Sequence, residues 1–163
     1  MEIKEILKTA LEFEKKGYAL YSDVAKTTKN DLARSIFEYL ASQEERHVSE
    51  IDNYIKKNKL VLSGDSAKKT EEFFTTTVKT FKSQLKLVKA DSDAYERGLE
   101  LEKNSYDFYK SKLSEAKTEE VKKFLKFLME QENAHYVLIQ KAFEFSKDPK
   151  HFFAEHERAF FEG

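Results

Sequence analysis

Glu132, Asn133, Ala134 and His135 place a carboxylate and an imidazole three residues apart, and Glu44, Glu45, Arg46 and His47 do the same. Residues three apart on an α-helix share a face, so each pair offers one oxygen and one nitrogen donor toward a common point. That is the geometry of a metal-ligand pair. The two copies keep a fixed offset, since 132 − 44 and 135 − 47 both give 88. The same offset carries Glu14 and Tyr21 onto Glu102 and Tyr109, and in each copy the tyrosine follows its glutamate by seven residues. Leu11, Glu12, Lys15 and Tyr18 recur in register as Leu99, Glu100, Lys103 and Tyr106. One helix pair has been used twice.

A single Glu-x-x-His in a charged helix is usually a solvated face, and a lone Glu on an apolar seam is usually a boundary residue. Six such residues at duplicated spacing, Glu14, Glu44, His47, Glu102, Glu132 and His135, are a different matter, because all fall within apolar seams. Burying four ionised carboxylates without compensation costs several kcal/mol for each. Two divalent cations would bring four positive charges against them and leave a neutral cluster when both imidazoles are neutral. One Glu from each of two helices, with Glu-x-x-His from two others, is the arrangement of di-iron and di-manganese carboxylate bundles.

The elements that must position these residues follow from the periodicity. Four Gly and one Pro in a chain rich in Glu, Lys, Leu and Ala favour helix throughout. Leu7, Leu11, Glu14, Tyr18, Tyr21 and Ala25 alternate steps of four and three, which predicts a bundle helix with Glu14 inside its seam. Thr27 to Asn30 break the pattern, and Thr28 or Asn30 suits the cap of a second helix. Its seam is Ala33, Phe37, Leu40, Glu44, His47, Ile51 and Tyr54.

Ser63, Gly64, Asp65 and Ser66 make the clearest loop. Between Glu71 and Lys89 the seam Phe74, Val78, Phe81, Leu85 and Val88 predicts a crossover helix, although Thr75 to Thr77 also suit an extended crossing. Asp91 or Asp93 is expected to cap the third main helix, with the seam Tyr95, Leu99, Glu102, Tyr106, Tyr109 and Leu113. Thr118 suits the cap of the fourth, whose seam is Val121, Leu125, Leu128, Glu132, His135, Ile139 and Ala142. Asp148 and Pro149 restart the chain as cap and first helical residue. A short terminal helix over His151 to Phe161 would then dock Phe152, Phe153 and Phe160. Tyr18 and Tyr106 are expected to be packing aromatics, and His151 and His156 lie outside the duplicated pattern.

The expected architecture is one all-α domain over residues 1–163. Two duplicated antiparallel helix pairs, about 3–58 and 93–146, are joined by a long helical crossover over 59–92 and followed by the segment 147–163. With 29 basic and 30 acidic residues the formal charge is −1, which offers no field for nucleic acid or an anionic membrane. The absence of Cys excludes disulfides, thiolate-held metals and thiol catalysis. No stretch is long and apolar enough to span a bilayer, so a cytoplasmic protein is expected. A site of imidazole and carboxylate without sulfur suits Fe or Mn among redox metals.

At the duplicated residues the chain resembles the ferritin-like superfamily, and within it the rubrerythrin and bacterioferritin branch. The resemblance covers about Ile3 to Asn58 and Ala94 to Ser146 and implies a ferritin-like four-helix bundle. It implies a centre of two Fe ions, with Mn as the alternative, held by Glu14, Glu44, His47, Glu102, Glu132 and His135. Glu44 and Glu132 would touch both ions, and each His would be terminal on one. Tyr21 and Tyr109 would be the catalytic tyrosines, hydrogen-bonded to ligand carboxylates on facing helices.

The implied activity is reduction of hydrogen peroxide or dioxygen by a peroxidase-type di-iron oxidoreductase, in a homodimer or small homo-oligomer. Two departures qualify the resemblance. The rubredoxin module of many rubrerythrins is missing, so the electron donor would be a separate, rubredoxin-like protein. Ser105 stands where these proteins tend to carry a further carboxylate, with Gly17 as its counterpart, and small residues there are expected to leave a void for the oxidant. The paired histidines look closer to bacterioferritin, which makes a ferroxidase for iron storage the alternative activity. A structural, non-redox metal bundle is the third reading.

Overall fold

The computed structural model describes residues 3–81, 89–152 and 155, and every regular element among them is helical. The helices are α1 (Ile3–Thr27), α2 (Asp31–Lys57), α3 (Ala67–Phe81), α4 (Lys89–Leu113) and α5 (Glu119–Lys147). Residues 149–152 add a short helical turn.

The caps are largely those the sequence offers. The Asn30 side chain accepts from the Ala33 amide and the Thr118 hydroxyl from the Val121 amide, each satisfying a donor that the first helical turn leaves open. Asp148 Oδ1 accepts from the His151 amide, as expected of a cap ahead of Pro149. The expectation for Asp91 and Asp93 fails. Helix α4 starts at Lys89, so both lie inside it, and Asp91 is buried with its Oδ1 accepting from the Thr28 hydroxyl at 2.8 Å. That contact ties the start of α4 to the α1–α2 connection.

The crossover expectation holds for α3, where Phe74 and Val78 are buried. Thr75 to Thr77 are helical here, and Thr77 Oγ1 donates back to the Phe73 carbonyl. Leu85 and Val88 lie outside the described residues, as do Phe153, Phe160 and His156. Phe152 does dock, edge-on against both Phe74 and Phe145.

The core falls into two apolar clusters, and their membership gives the topology. Along α1 the chain passes from the cluster of Ile6, Leu7 and Ala10 to that of Tyr21, Val24 and Ala25. Helix α2 runs the other way, from Ile36, Phe37 and Leu40 to Ile51 and Tyr54. Helix α4 runs with α2, from Tyr95 to Tyr109, and α5 runs with α1, from Leu125 and Leu128 to Ile139 and Ala142. Each pair is therefore antiparallel, and because α2 and α4 point the same way their connection must traverse the bundle's length. Helix α3 makes part of that crossing, packed on α2 and α5. This is the four-helix topology that the resemblance implies.

Two seams shift by one position. Tyr18 is 41% exposed and Tyr106 is only half-buried, while Gly17, Gly98 and Ser105 are buried in the stripe that faces the bundle. Close approach is the reason. A Cβ on Gly17 would sit 3.0 Å from Glu44 Cδ, and one on Gly98 would sit 3.1 Å from Ile139 Cδ1. The expectation of a void over Gly17 is thereby corrected, since the Glu44 side chain occupies that space.

Candidate metal centre

Between the two apolar clusters lies one polar layer. Glu14 comes from α1, Glu44 and His47 from α2, Glu102 from α4, and Glu132 and His135 from α5. Each is at most 2% exposed. The i, i+3 spacing aims each Glu and His of α2 and α5 at the same layer, and the antiparallel pairing brings all four helices to the same height. All six residues marked by the duplicated spacing meet here.

Two groups of four residues have donor atoms mutually within 4.8 Å and could each hold a metal ion. One is Glu14, Glu44, His47 and Glu132, and the other is Glu44, Glu102, Glu132 and His135. Glu44 and Glu132 belong to both, while each group has its own His and its own further Glu. His47 Nδ1 lies 3.3 Å from Glu14 Oε2, and His135 Nδ1 lies 3.1 Å from Glu44 Oε1 and 3.4 Å from Glu102 Oε1. The imidazole rings stack at 5.8 Å between centroids.

The electrostatics call for a cation. Burial pushes the Glu132 carboxyl well above the usual carboxylate range, reinforced by the negative charges of Glu102 and Glu14. Burial also acts to raise Glu102, but proton sharing with Glu132 and the neighbouring His135 outweigh it, so Glu102 lies below its ordinary value. Two facing carboxylates cannot both ionise cheaply in a dry site, so their pKa values are driven apart. Among the described residues, buried Glu102 Oε2 and Glu132 Oε1 have no hydrogen-bond partner. Unpaired buried oxygens beside two imidazoles, with no sulfur present, fit hard to borderline divalent metals.

The tyrosines fall where the resemblance places them. The Tyr21 hydroxyl donates to Glu102 Oε1 at 2.6 Å, and the Tyr109 hydroxyl donates to Glu14 Oε1 at 3.2 Å. Each crosses between the duplicated halves, and both rings are fully buried. Burial raises each phenol well above its ordinary pKa, and the carboxylate it faces raises it further, so both remain donors. Ser105 Oγ donates to Glu132 Oε2 at 2.9 Å, so that site too is filled by an ordered contact.

Sequence reasoning passed over Gln43 and Gln131, although they obey the same offset of 88. Gln131 Oε1 lies 3.0 Å from His47 Nε2, and its Nε2 donates to the Asp65 carbonyl at 2.9 Å. Gln43 Oε1 accepts from the Asp65 amide at 3.3 Å. The duplication was a sufficient signal for both.

Among the described residues, no helix is long and apolar enough to cross a membrane. Comparison with curated proteins and with solved structures finds no match. The family model described as Rubrerythrin matches residues 5–143, which takes in nearly all of both helix pairs, α3 and every residue of the buried layer. The chain therefore belongs to the rubrerythrin family, whose members are di-iron carboxylate proteins.

Proposed function

We propose that Glu14, Glu44, His47, Glu102, Glu132 and His135 hold two iron ions, and that the protein reduces hydrogen peroxide or dioxygen with electrons from an external, rubredoxin-like donor. The observation that carries this reading is the pair of four-residue groups that share Glu44 and Glu132. A bound iron pair supplies two electrons together to an O–O bond. For peroxide the balance is one H2O2, two electrons and two protons giving two waters, with both electrons later restored by the donor.

The protein's own share is placement and charge. Four glutamates match the charge of two divalent ions, and the apolar clusters on either side keep bulk water from competing. Tyr21 and Tyr109 hold Glu102 and Glu14 in a fixed rotamer by donating to one oxygen of each, which leaves the other oxygen for a metal. Ser105 does the same for Glu132.

One observation favours a second reading. The residue placed to meet Glu132 is the neutral Ser105, where rubrerythrins tend to carry a carboxylate, and this supports a ferroxidase of bacterioferritin type. Stopped-flow oxidation of the anaerobic ferrous protein separates the two. Faster single-turnover oxidation by peroxide than by dioxygen, in a dimer or other small oligomer, is expected. Faster reaction with dioxygen, in a large hollow assembly, would favour iron storage.

The same measurement tests the tyrosines. Tyr21→Phe and Tyr109→Phe keep the ring and remove only the donor. Both variants are expected to fold and bind two metals, yet to oxidise with peroxide about ten- to a hundredfold more slowly. Wild-type rates in both would reduce these tyrosines to packing residues.

A further inference from the structure

The backbone carbonyl of Asp65 can only accept a hydrogen bond, so the Gln131 group that meets it at 2.9 Å must be the amide NH2. The Gln131 oxygen then faces His47 Nε2 at 3.0 Å and can only accept, so the proton must sit on Nε2. His47 Nδ1 faces Glu14 Oε2 at 3.3 Å on the side of the buried layer. Asp65 is itself held on every side. Its amide donates to Gln43 of α2, its carbonyl accepts from Gln131 of α5, and its Oδ2 accepts from the Tyr39 hydroxyl at 2.5 Å. Gly64 closes the clamp, because a Cβ there would lie 2.3 Å from Gln131 Oε1, at a φ of +156°.

The duplicated counterpart is not built this way. Gln43 is turned to the Asp65 amide, and among the described residues the polar groups facing the His135 ring nitrogens are the carboxylates of Glu44 and Glu102. A single crossover segment cannot serve both halves of a twofold bundle, so the symmetry of the sequence is broken at this point.

We infer that Gln131 is a positioning residue that holds a proton on His47 Nε2 and so orients the ring, and that the Gly64–Asp65 segment controls the Glu14/His47 half of the centre through it. The inference rests on the two-metal reading above. The ferrous form of the intact protein is to be built by anaerobic titration of Fe(II), with binding followed by calorimetry in wild type, Gln131→Met, Gly64→Ala and Gln43→Met. One of the two binding steps is expected to weaken by about ten- to a hundredfold in Gln131→Met and Gly64→Ala, with the other step unchanged. Gln43→Met, which removes a clamp on Asp65 but no partner of His47, is expected to show a smaller change.

Long-range proton–nitrogen NMR of the metal-free protein reads the tautomer directly. A slowly exchanging proton on His47 Nε2 is expected in wild type and lost in Gln131→Met and Gly64→Ala. The inference is overturned if both variants keep that signal and the wild-type isotherm, or if Gln43→Met weakens the same step equally. Gly64→Ala keeps the glutamine and only displaces its side chain, so the test survives if Gln131→Met does not fold. Uptake of fewer than two Fe(II) by wild type would instead contradict the two-metal reading, and the NMR result would still decide the role of Gln131.

Discussion

Replacing Glu44 or Glu132 with alanine is expected to take the protein from two metal ions per chain to at most one, because each carboxylate belongs to both groups of candidate ligands. Replacing Glu14 or Glu102, each in one group only, is expected to weaken one ion and spare the other. The contrast separates shared ligands from terminal ones, and metal analysis of the dialysed variants reads it. Both alanine variants are expected to fold without metal, since each removes a buried carboxylate whose desolvation the metal-free protein otherwise bears. Two ions retained in Glu44→Ala or Glu132→Ala would remove these residues from the shared position.

Removal of metal is expected to have the largest effect on stability. Ions that bind only the folded chain stabilise it by mass action, about 2.7 kcal/mol per site at a hundredfold excess over Kd. Two sites in a chain of this size correspond to a fall in Tm on the order of 10 °C when chelator is added. The pH dependence follows from the direction of the shifts. Glu132 is raised in the folded protein, so its contribution is fully present below the unfolded carboxyl value of about 4.3 and is lost as pH rises toward its folded value. Glu102 is lowered and works in the opposite sense, adding stability above about pH 4.3 that is lost on acidification.

Four carboxylates crowd the metal-free layer and protonation relieves their repulsion, so the metal-free protein is expected to gain stability as pH falls from neutrality toward about 4. The metal-loaded protein moves the other way, because protons compete for the ligands. The two melting curves should converge in acid. Equal Tm with and without chelator at neutral pH would contradict this.

The sequence revealed most where apolarity alone sets the pattern. All seven seam positions chosen on α2 are buried, and on α5 only Val121 is not fully so, because these helices present large side chains to the core. On α1 and α4 the stripe runs through Gly17, Gly98 and Ser105, and not through Tyr18, Leu99 and Tyr106. There the helices come close to Glu44, Ile139 and Glu132, and the small size of a side chain matters more than its hydropathy. A periodicity that scores only apolar residues selects the wrong neighbour.

The six polar residues were legible because duplication marks them, and the tyrosine contacts were legible through the family resemblance. The grip on Asp65 was not. It joins residues 22 and 66 positions apart, through a loop whose path depends on the whole bundle being in place. Nothing in local sequence encodes which of two equivalent glutamines a single crossover will turn toward its histidine.

Anomalous X-ray scattering from crystals of the iron-loaded protein tests the central claim most directly. Two peaks are expected in the buried layer, one among Glu14, Glu44, His47 and Glu132 and the other among Glu44, Glu102, Glu132 and His135. A single peak, or iron bound only outside this layer, would contradict it.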